Sequence, residues 1–210
     1  MNARSHILAD NQTSEQLLDA GIGLFARYDY DQVSNKMITD VLQVNSAMIS
    51  YYFKSKENFY YEVVRRSSDI IMSKFNNFCP HNLDSASVEE LLEQINVGLD
   101  IYLEAFFSDG GKDFAIIYHR NLIDAENKKV LSEYNRPIDG VTARYLQLFT
   151  AYYQKTGRPE VNVIFTMIRI ASLVYFMILH ERTIEVLIPD QMNAMQNLKK
   201  LLLHTVVNGC

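Results

Sequence analysis

VNSAMISYYFKSKENFYYEVV, residues 44–64, sets Tyr51, Tyr52 and Phe53 directly before Lys54 and Lys56, and a second tyrosine pair, Tyr60 and Tyr61, follows closely. Asn45 suits the cap of a helix running through Phe53, and Ser55, followed by Lys56 and Glu57, suits the cap of the next. At about 100° per residue, with Ile49 as the inward reference, Phe53 lies about 40° to one side of it and Tyr52 about 60° to the other. These three face the core or its edge, Met48 sits at the boundary, and Ala47, Ser50 and Tyr51 point outward. An outward face of small residues and one hydroxyl-bearing aromatic differs from a merely solvated surface, where Lys and Glu are expected. Small side chains let a helix backbone approach another surface closely.

Upstream, Ser34 is placed to cap a short helix with inward positions Ile38, Val41 and Leu42, and only the stretch QVN separates that helix from the one capped by Asn45. Two short helices joined in this way form a helix-turn-helix, whose second helix can enter the major groove of DNA, about 12 Å wide. Asn45 and Ser46 then stand at a helix N-terminus, placed for phosphate or base-edge contacts. Lys54 and Lys56 can neutralise flanking phosphates. Before this unit, Thr13 and Gln16 form a capping box, and Leu17, Leu18, Ala20, Ile22, Leu24 and Phe25 recur at helical spacing up to about Arg27.

Residues 14–62 resemble the DNA-binding domain of the TetR/AcrR family of one-component repressors. The likeness is carried by LLDAGIGLFARYDYDQVS, by Ile38, and by VNSAMISYYFKSKENFY, which follows the family variant V-N-x-A-x-I-x-Y-[HY]-F-x-S-K-E-x-[LF]-Y. Gln43 stands where the family usually has a turn glycine, and Asp29 where it has one before the aromatic that ends the first helix. The resemblance implies an all-α protein of about nine helices. Residues 1–57 would be the three-helix DNA-binding domain and residues 58–210 the effector-binding and dimerisation domain. It further implies that Ser46, Ala47 and Met48 lie nearest the bases, and Ser34, Ser50, Tyr51, Tyr52 and Lys56 nearest phosphates. The implied partners are an operator duplex, a second copy of the chain and a small-molecule effector, with no cofactor and no metal.

The 48% hydrophobic and 21% charged composition is that of an ordinary globular protein, and eight Gly with four Pro leave few obligatory breaks in helices. Cys79 and Cys210 have neither metal-ligand spacing nor framework character, which suits a reducing cytoplasm, and the N-terminus lacks the apolar run of a signal peptide. The net charge of −5 argues against unspecific nucleic-acid binding by the whole surface. Even residues 1–66 carry more acids (Asp10, Glu15, Asp19, Asp29, Asp31, Asp40, Glu57, Glu62) than bases (Arg4, Arg27, Lys36, Lys54, Lys56, Arg65, Arg66). DNA affinity is therefore expected to be modest and salt-sensitive, resting on a dimer and on groups aimed from helix N-termini. An N-terminal arm with Arg4 and His6 is either disordered or adds a minor-groove contact.

The remainder also reads as helix. The long helix from Ser55 should reach Phe78, before Pro80; Ser87 and Glu90 make a capping box; and SDGGKD is the clearest loop. Helices are expected over about Phe114–Ile123 and Ala125–Tyr134, from Pro137 to a Gly157 C-cap, over Pro159–Glu181, and from Asp190 to about Val207. VNVIFTMIRIASLVYFMILH, residues 161–180, has the length of a membrane span, but Asn162, Arg169 and Ser172 interrupt it, so a buried bundle helix is expected. The last two helices, with Ile164, Ile168, Tyr175, Met195, Leu198 and Leu202, are candidates for a four-helix dimer interface; closing the core of a monomer is the alternative.

Between them, Phe75, Phe78, Phe106, Phe107, Phe114, Tyr118, Tyr145, Phe149 and Tyr152 either fill the core or line an effector pocket, with His119, Arg120 and Arg169 as polar points. Such a pocket would take an apolar or aromatic molecule. Hydrolase, dinucleotide, phosphate-loop and zinc-protease motifs are all lacking and the five His are scattered, so catalysis is not expected; HRNLIDAE merely brings His119, Asp124 and Glu126 near one another. A ligand-responsive repressor and a dimeric interaction protein of the same fold that no longer reads an operator both remain open.

Overall fold

The computed structural model describes the backbone of residues 3–123 and 128–209, and the side chains of residues 12–121, 139–190 and 192–209. Among the described residues the chain forms ten α-helices and no strand: α1 Ala3–Arg27, α2 Asn35–Leu42, α3 Ala47–Phe53, α4 Lys56–Lys74, α5 Val88–Phe107, α6 Asp109–Ile123, α7 Lys128–Lys155, α8 Val163–Leu179, α9 Glu181–Leu187 and α10 Gln191–Asn208.

Local caps start most of these helices. Ser34 Oγ accepts the Met37 amide (3.1 Å), Ser55 Oγ the Asn58 amide (3.1 Å) and Asp190 the Asn193 amide (3.0 Å), while Ser87 and Glu90 make the reciprocal capping box. Asn162 caps α8 through the amides of Ile164 and Phe165. α7 ends in a Schellman-type closure, with Gly157 at φ +71° and the Arg158 amide bound to the Tyr153 carbonyl (2.8 Å).

Two packed regions share α4. Its first half buries Phe59 and Val63 against Leu17, Ile22 and Phe25 of α1, with Ile38 of α2 and Ile49 of α3 completing the small bundle. Its second half sends Ile71 into the larger bundle, followed by Phe75 at its C-cap. There Leu91, Ile95 and Leu99 of α5, Phe114 of α6, Leu148 and Phe149 of α7, and Val174 of α8 make the core. Tyr153 ties three helices together: its hydroxyl donates to the Val206 carbonyl on α10 (2.8 Å) and pairs with Thr166 Oγ1 on α8 (3.2 Å).

Several boundaries differ from expectation, each for a tertiary or local reason. α1 begins at Ala3 and not after Thr13, because residues 3–12 contain no Gly or Pro to stop a helix. The arm expected there is thus helical in backbone; the side chains of Arg4 and His6 lie outside the described residues. In α2 the buried sector runs through Ile38, Leu42 and Thr39, and Val41 falls outside it and is exposed. α4 stops at Lys74 because Phe75 and Phe78 turn inward and their carbonyls are taken by Arg144 of α7 (2.9 and 2.6 Å).

SDGGKD is not a loop. Ser108 starts α6 there, accepting the Gly111 amide on its hydroxyl, and Gly111 is needed for close approach, since a Cβ would sit 1.9 Å from the Ala105 carbonyl oxygen. The two helices expected on either side of Pro137 are one, α7, because a proline can be carried in a long helix at the loss of one donor; residues 125–127 lie outside the described ones. The region after α8 adds a short helix, α9, that was not expected. No single helix among the described residues is long and apolar enough to cross a membrane.

Gly111→Ala should destabilise the protein by about 1–3 kcal/mol through overpacking. Gly23→Ala, where an added Cβ meets nothing within 4 Å, should stabilise it by about 0.5–1 kcal/mol. Thermal melting of both variants reads the opposite signs directly.

Candidate nucleic-acid interface and effector cavity

The turn between α2 and α3 is shaped by Gln43, which takes the left-handed conformation (φ 56°, ψ 37°), with the Val44 amide bound to the Thr39 carbonyl (3.1 Å). Asn45 then starts α3: its Oδ1 accepts the Ala47 amide (2.8 Å) and its carbonyl the Met48 amide (2.9 Å). Ile49 is fully buried, Met48, Tyr52 and Phe53 are half-buried, and Asn45, Ser46, Ala47, Ser50 and Tyr51 are exposed. Phe53 packs edge-on against Phe59 (4.9 Å). Tyr51, 58% exposed, meets Tyr52 edge-on at 4.8 Å, so an outward ring is braced by a half-buried one. Ser34, whose hydroxyl caps α2, is exposed nearby in the chain.

Charges around this face are largely committed. Lys36 pairs with Asp40 (2.7 Å), Arg65 with Glu62 (2.6 Å) and Arg66 with Glu15 and Asp19 (2.6 and 3.3 Å). Lys54 and Lys56 bind carbonyls instead: Lys54 Nζ donates to Tyr51 O (3.3 Å) and Lys56 Nζ to Tyr30 O (2.5 Å), the latter lying 4.2 Å over the Tyr30 ring. Carbonyl contacts leave their charge unneutralised, which is the condition for meeting a phosphate.

In the larger bundle a cavity of about 410 Å³ lies between α4, α5, α6, α7 and α8. Phe75, Phe106, Tyr118, Tyr145 and Phe149 line it, joined by residues not singled out from sequence, notably Met72 and Tyr102. The remaining pocket candidates do not line it. Phe78 is buried, stacking on Tyr145 at 4.4 Å; Phe114 and Tyr152 are core; Phe107 lines a separate hollow; His119 is half-buried elsewhere; Arg169 is exposed, because the inward face of α8 is Thr166, Ile170 and Val174. Asp124 and Glu126 lie outside the described residues.

The expected dimer seam divides as well. Leu198 and Leu202 are buried within the chain and cannot face a partner; Met195 is half-buried; and Ile164, Ile168 and Tyr175 line the cavity. Ile164 and Ile168 are nonetheless 60% and 52% exposed, and with Phe165, Phe176 and Leu179 they make an uncovered apolar face on α8.

Arg120 is not a pocket residue. From α6 its guanidinium donates to the carbonyls of Phe25 (2.6 Å) and Tyr28 (3.1 Å) at the end of α1 and lies 3.5 Å from Asp29. Asn121 donates to the Tyr60 hydroxyl (2.7 Å), and Tyr60 packs on Phe25 and Tyr30 (4.6 and 5.1 Å). Two residues before Arg120, Tyr118 faces the cavity. One helix therefore touches both the cavity and the end of α1. Sequence offers no signal for this clamp, because Arg120 and α1 are separated by more than ninety residues.

Residues 17–63 match the family model for bacterial regulatory proteins of the tetR family. The match covers the three-helix unit and the start of α4, so it is this domain that resembles the tetR family. No curated protein matches the sequence. Solved structures resemble the whole fold: FadR from Bacillus halodurans, a fatty acid degradation regulator (16% identity, 90% of this chain and 94% of that one, TM-score 0.62), and a tetR-family regulator from Streptomyces coelicolor (18%, 95% and 80%, 0.61). FadR from Bacillus subtilis, solved with stearoyl-CoA, is similar at 18% identity over 93% of this chain and 98% of that one, with a TM-score of 0.59. These are transcriptional regulators and not enzymes. The position expected to hold a turn glycine holds Gln43 in a left-handed backbone, where glycine carries no steric penalty.

Gln43→Gly should accordingly raise stability by about 0.5–1 kcal/mol, read by denaturant unfolding. Arg120→Ala should lower stability by about 1–2 kcal/mol by leaving carbonyls at the end of α1 without their donor. It should also speed amide exchange selectively in residues 25–32; uniform exchange across the chain would show that the clamp is not local.

Proposed function

We propose that the chain is a ligand-responsive transcriptional regulator, a homodimeric repressor released from its operator by a small apolar or aromatic effector. Residues 1–57 read DNA, and residues 58–210 bind the effector and the second copy. Ser46, Ala47 and Met48 approach the bases, and Ser34, Asn45, Ser50, Tyr51, Tyr52, Lys54 and Lys56 contact phosphates or base edges. The observation that carries this reading is α6, which presents Tyr118 to an apolar cavity and Arg120 to the end of α1.

An effector that favours one seating of α6 thereby favours one setting of α1 and, through Tyr60, of α4. In a dimer the two α3 helices must sit about 34–36 Å apart to occupy successive major grooves, so small displacements of α4 weaken binding. The uncovered α8 face supports dimerisation, being an apolar patch of the kind that marks an interface. Stearoyl-CoA, which Bacillus subtilis FadR binds, carries phosphates; none of the described residues lining this cavity is a cation, so such a headgroup would have to remain outside it.

A second reading, a dimeric interaction protein that no longer reads an operator, is favoured by one observation: the ion pairing of Lys36, Arg65 and Arg66. Fluorescence anisotropy with the duplex flanking the gene and a scrambled duplex, at two salt concentrations, separates the two. Tight, sequence-dependent, salt-sensitive binding supports the regulator; weak and equal binding to both supports the alternative. On the specific duplex, Tyr51→Ala should weaken binding about tenfold without dissociating the dimer. Lys54→Ala and Lys56→Ala should each lower the slope of log affinity against log salt by about 1, the signature of one phosphate no longer neutralised.

A further inference from the structure

The cavity's chemistry narrows what can enter it, an inference that rests on the effector-binding reading above. Among the described residues, no carboxylate, ammonium, guanidinium or imidazole lines it. A carboxylate entering there would exchange its hydration for hydrocarbon and ring edges, with no cation in the described lining to pair it. The rings that surround the space meet mostly at steep angles, Tyr102 with Tyr145 at 83° and Phe106 with Tyr175 at 67°, leaving slots suited to a flat apolar body. The volume of about 410 Å³ is that of a small-molecule site.

Polar groups in the interior are few, and their commitments differ. The Tyr145 hydroxyl is committed to the Gly98 carbonyl (2.5 Å), and Thr142 lies at the exposed rim. Tyr118 and Tyr175 stack on each other at 6.2 Å and have further contacts. Tyr102 differs. It lines the cavity, packs 4.6 Å from Phe106 and 6.1 Å from Phe75, and its hydroxyl has no hydrogen-bond partner among the described residues. Burial, with the nearby Tyr118 second, raises the pKa of that phenol, so it keeps its proton at neutral pH and remains a donor. That hydroxyl opens onto the cavity, where an acceptor on a bound molecule can receive its hydrogen bond.

We propose that the cavity excludes anions and selects a flat, largely apolar molecule bearing a hydrogen-bond acceptor, and that the Tyr102 hydroxyl reads that acceptor. Tyr102 is thus the specificity-determining residue of the effector site. A ketone, ester or amide oxygen on an aromatic body fits; the corresponding carboxylate does not.

The test uses the full chain without DNA and three fluorescent probes: 6-propionyl-2-(dimethylamino)naphthalene, the same naphthylamine lacking the ketone, and its 6-carboxylate. The neutral ketone should bind tightest, and Tyr102→Phe should weaken it about tenfold while leaving the ketone-free probe unchanged. The emission of the bound ketone should shift to the blue in Tyr102→Phe, because a donor to that carbonyl reddens it; Tyr145→Phe, whose hydroxyl is already committed, should leave the emission alone. Thermal melting confirms that each variant is folded. Equal binding of the ketone by wild type and Tyr102→Phe would remove Tyr102 from recognition, and carboxylate binding as tight as the ketone would overturn the exclusion of anions. Failure of every probe to bind would overturn the cavity as a site for such molecules. Because DNA is absent, a chain that binds the ketone but no operator would refute the regulator and leave this selectivity standing.

Discussion

The burial of α4 along its whole length is the constraint on which the structure depends. Phe59 and Val63 are buried at one end of a continuous core and Ile71 further along it, so a single stretch of backbone has its rotation and height fixed along its length. Close-packed interiors do not deform gradually. Ile71 and Met72, the latter on the cavity wall, thus share one rigid helix with Phe59, on which Phe53 of α3 packs. α6 runs beside α4 and adds a second hold through Arg120 and Asn121, which makes the small bundle's orientation doubly determined.

The electrostatics differ from those of strongly basic DNA-binding domains. Lys36, Arg65 and Arg66 direct their charge to carboxylates within the chain, and Lys56 is held by Tyr30. Surface pairs of this kind add little stability. Their larger effect is to weaken the long-range field that would attract any polyanion.

The elements legible in the sequence were those whose cause is local. Ser34, Ser55 and Ser87 cap helices, and Asn45 accepts the Ala47 amide just before α3, because the side chain and the amide lie within three residues of each other, and the inward position of Ile49 follows from helix geometry alone. What stayed hidden was decided by distant partners. Gly111 reads as a loop until the Ala105 carbonyl is seen against it; Leu198 and Leu202 read as a dimer seam until the chain buries them itself; Arg120 finds α1 only in three dimensions. The cavity was half legible for the same reason. Phe75, Phe106, Tyr118, Tyr145 and Phe149 were recognisable as aromatics on helices, but nothing local distinguishes them from Phe114 or Tyr152, which are core. Tyr102 shares the α5 stripe with Leu91, Ile95, Leu99 and Phe106, and only the open space beside it sets it apart.

Ile164 and Ile168 belong at once to the cavity wall and to the uncovered face of α8. In a dimer assembled through that face, the partner would back the same two side chains that the ligand touches from within. Occupancy and assembly would then be linked equilibria: whatever the ligand does to the association constant, association does in equal measure to ligand affinity. The apparent ligand affinity of a protein assembled in that way would depend on its own concentration.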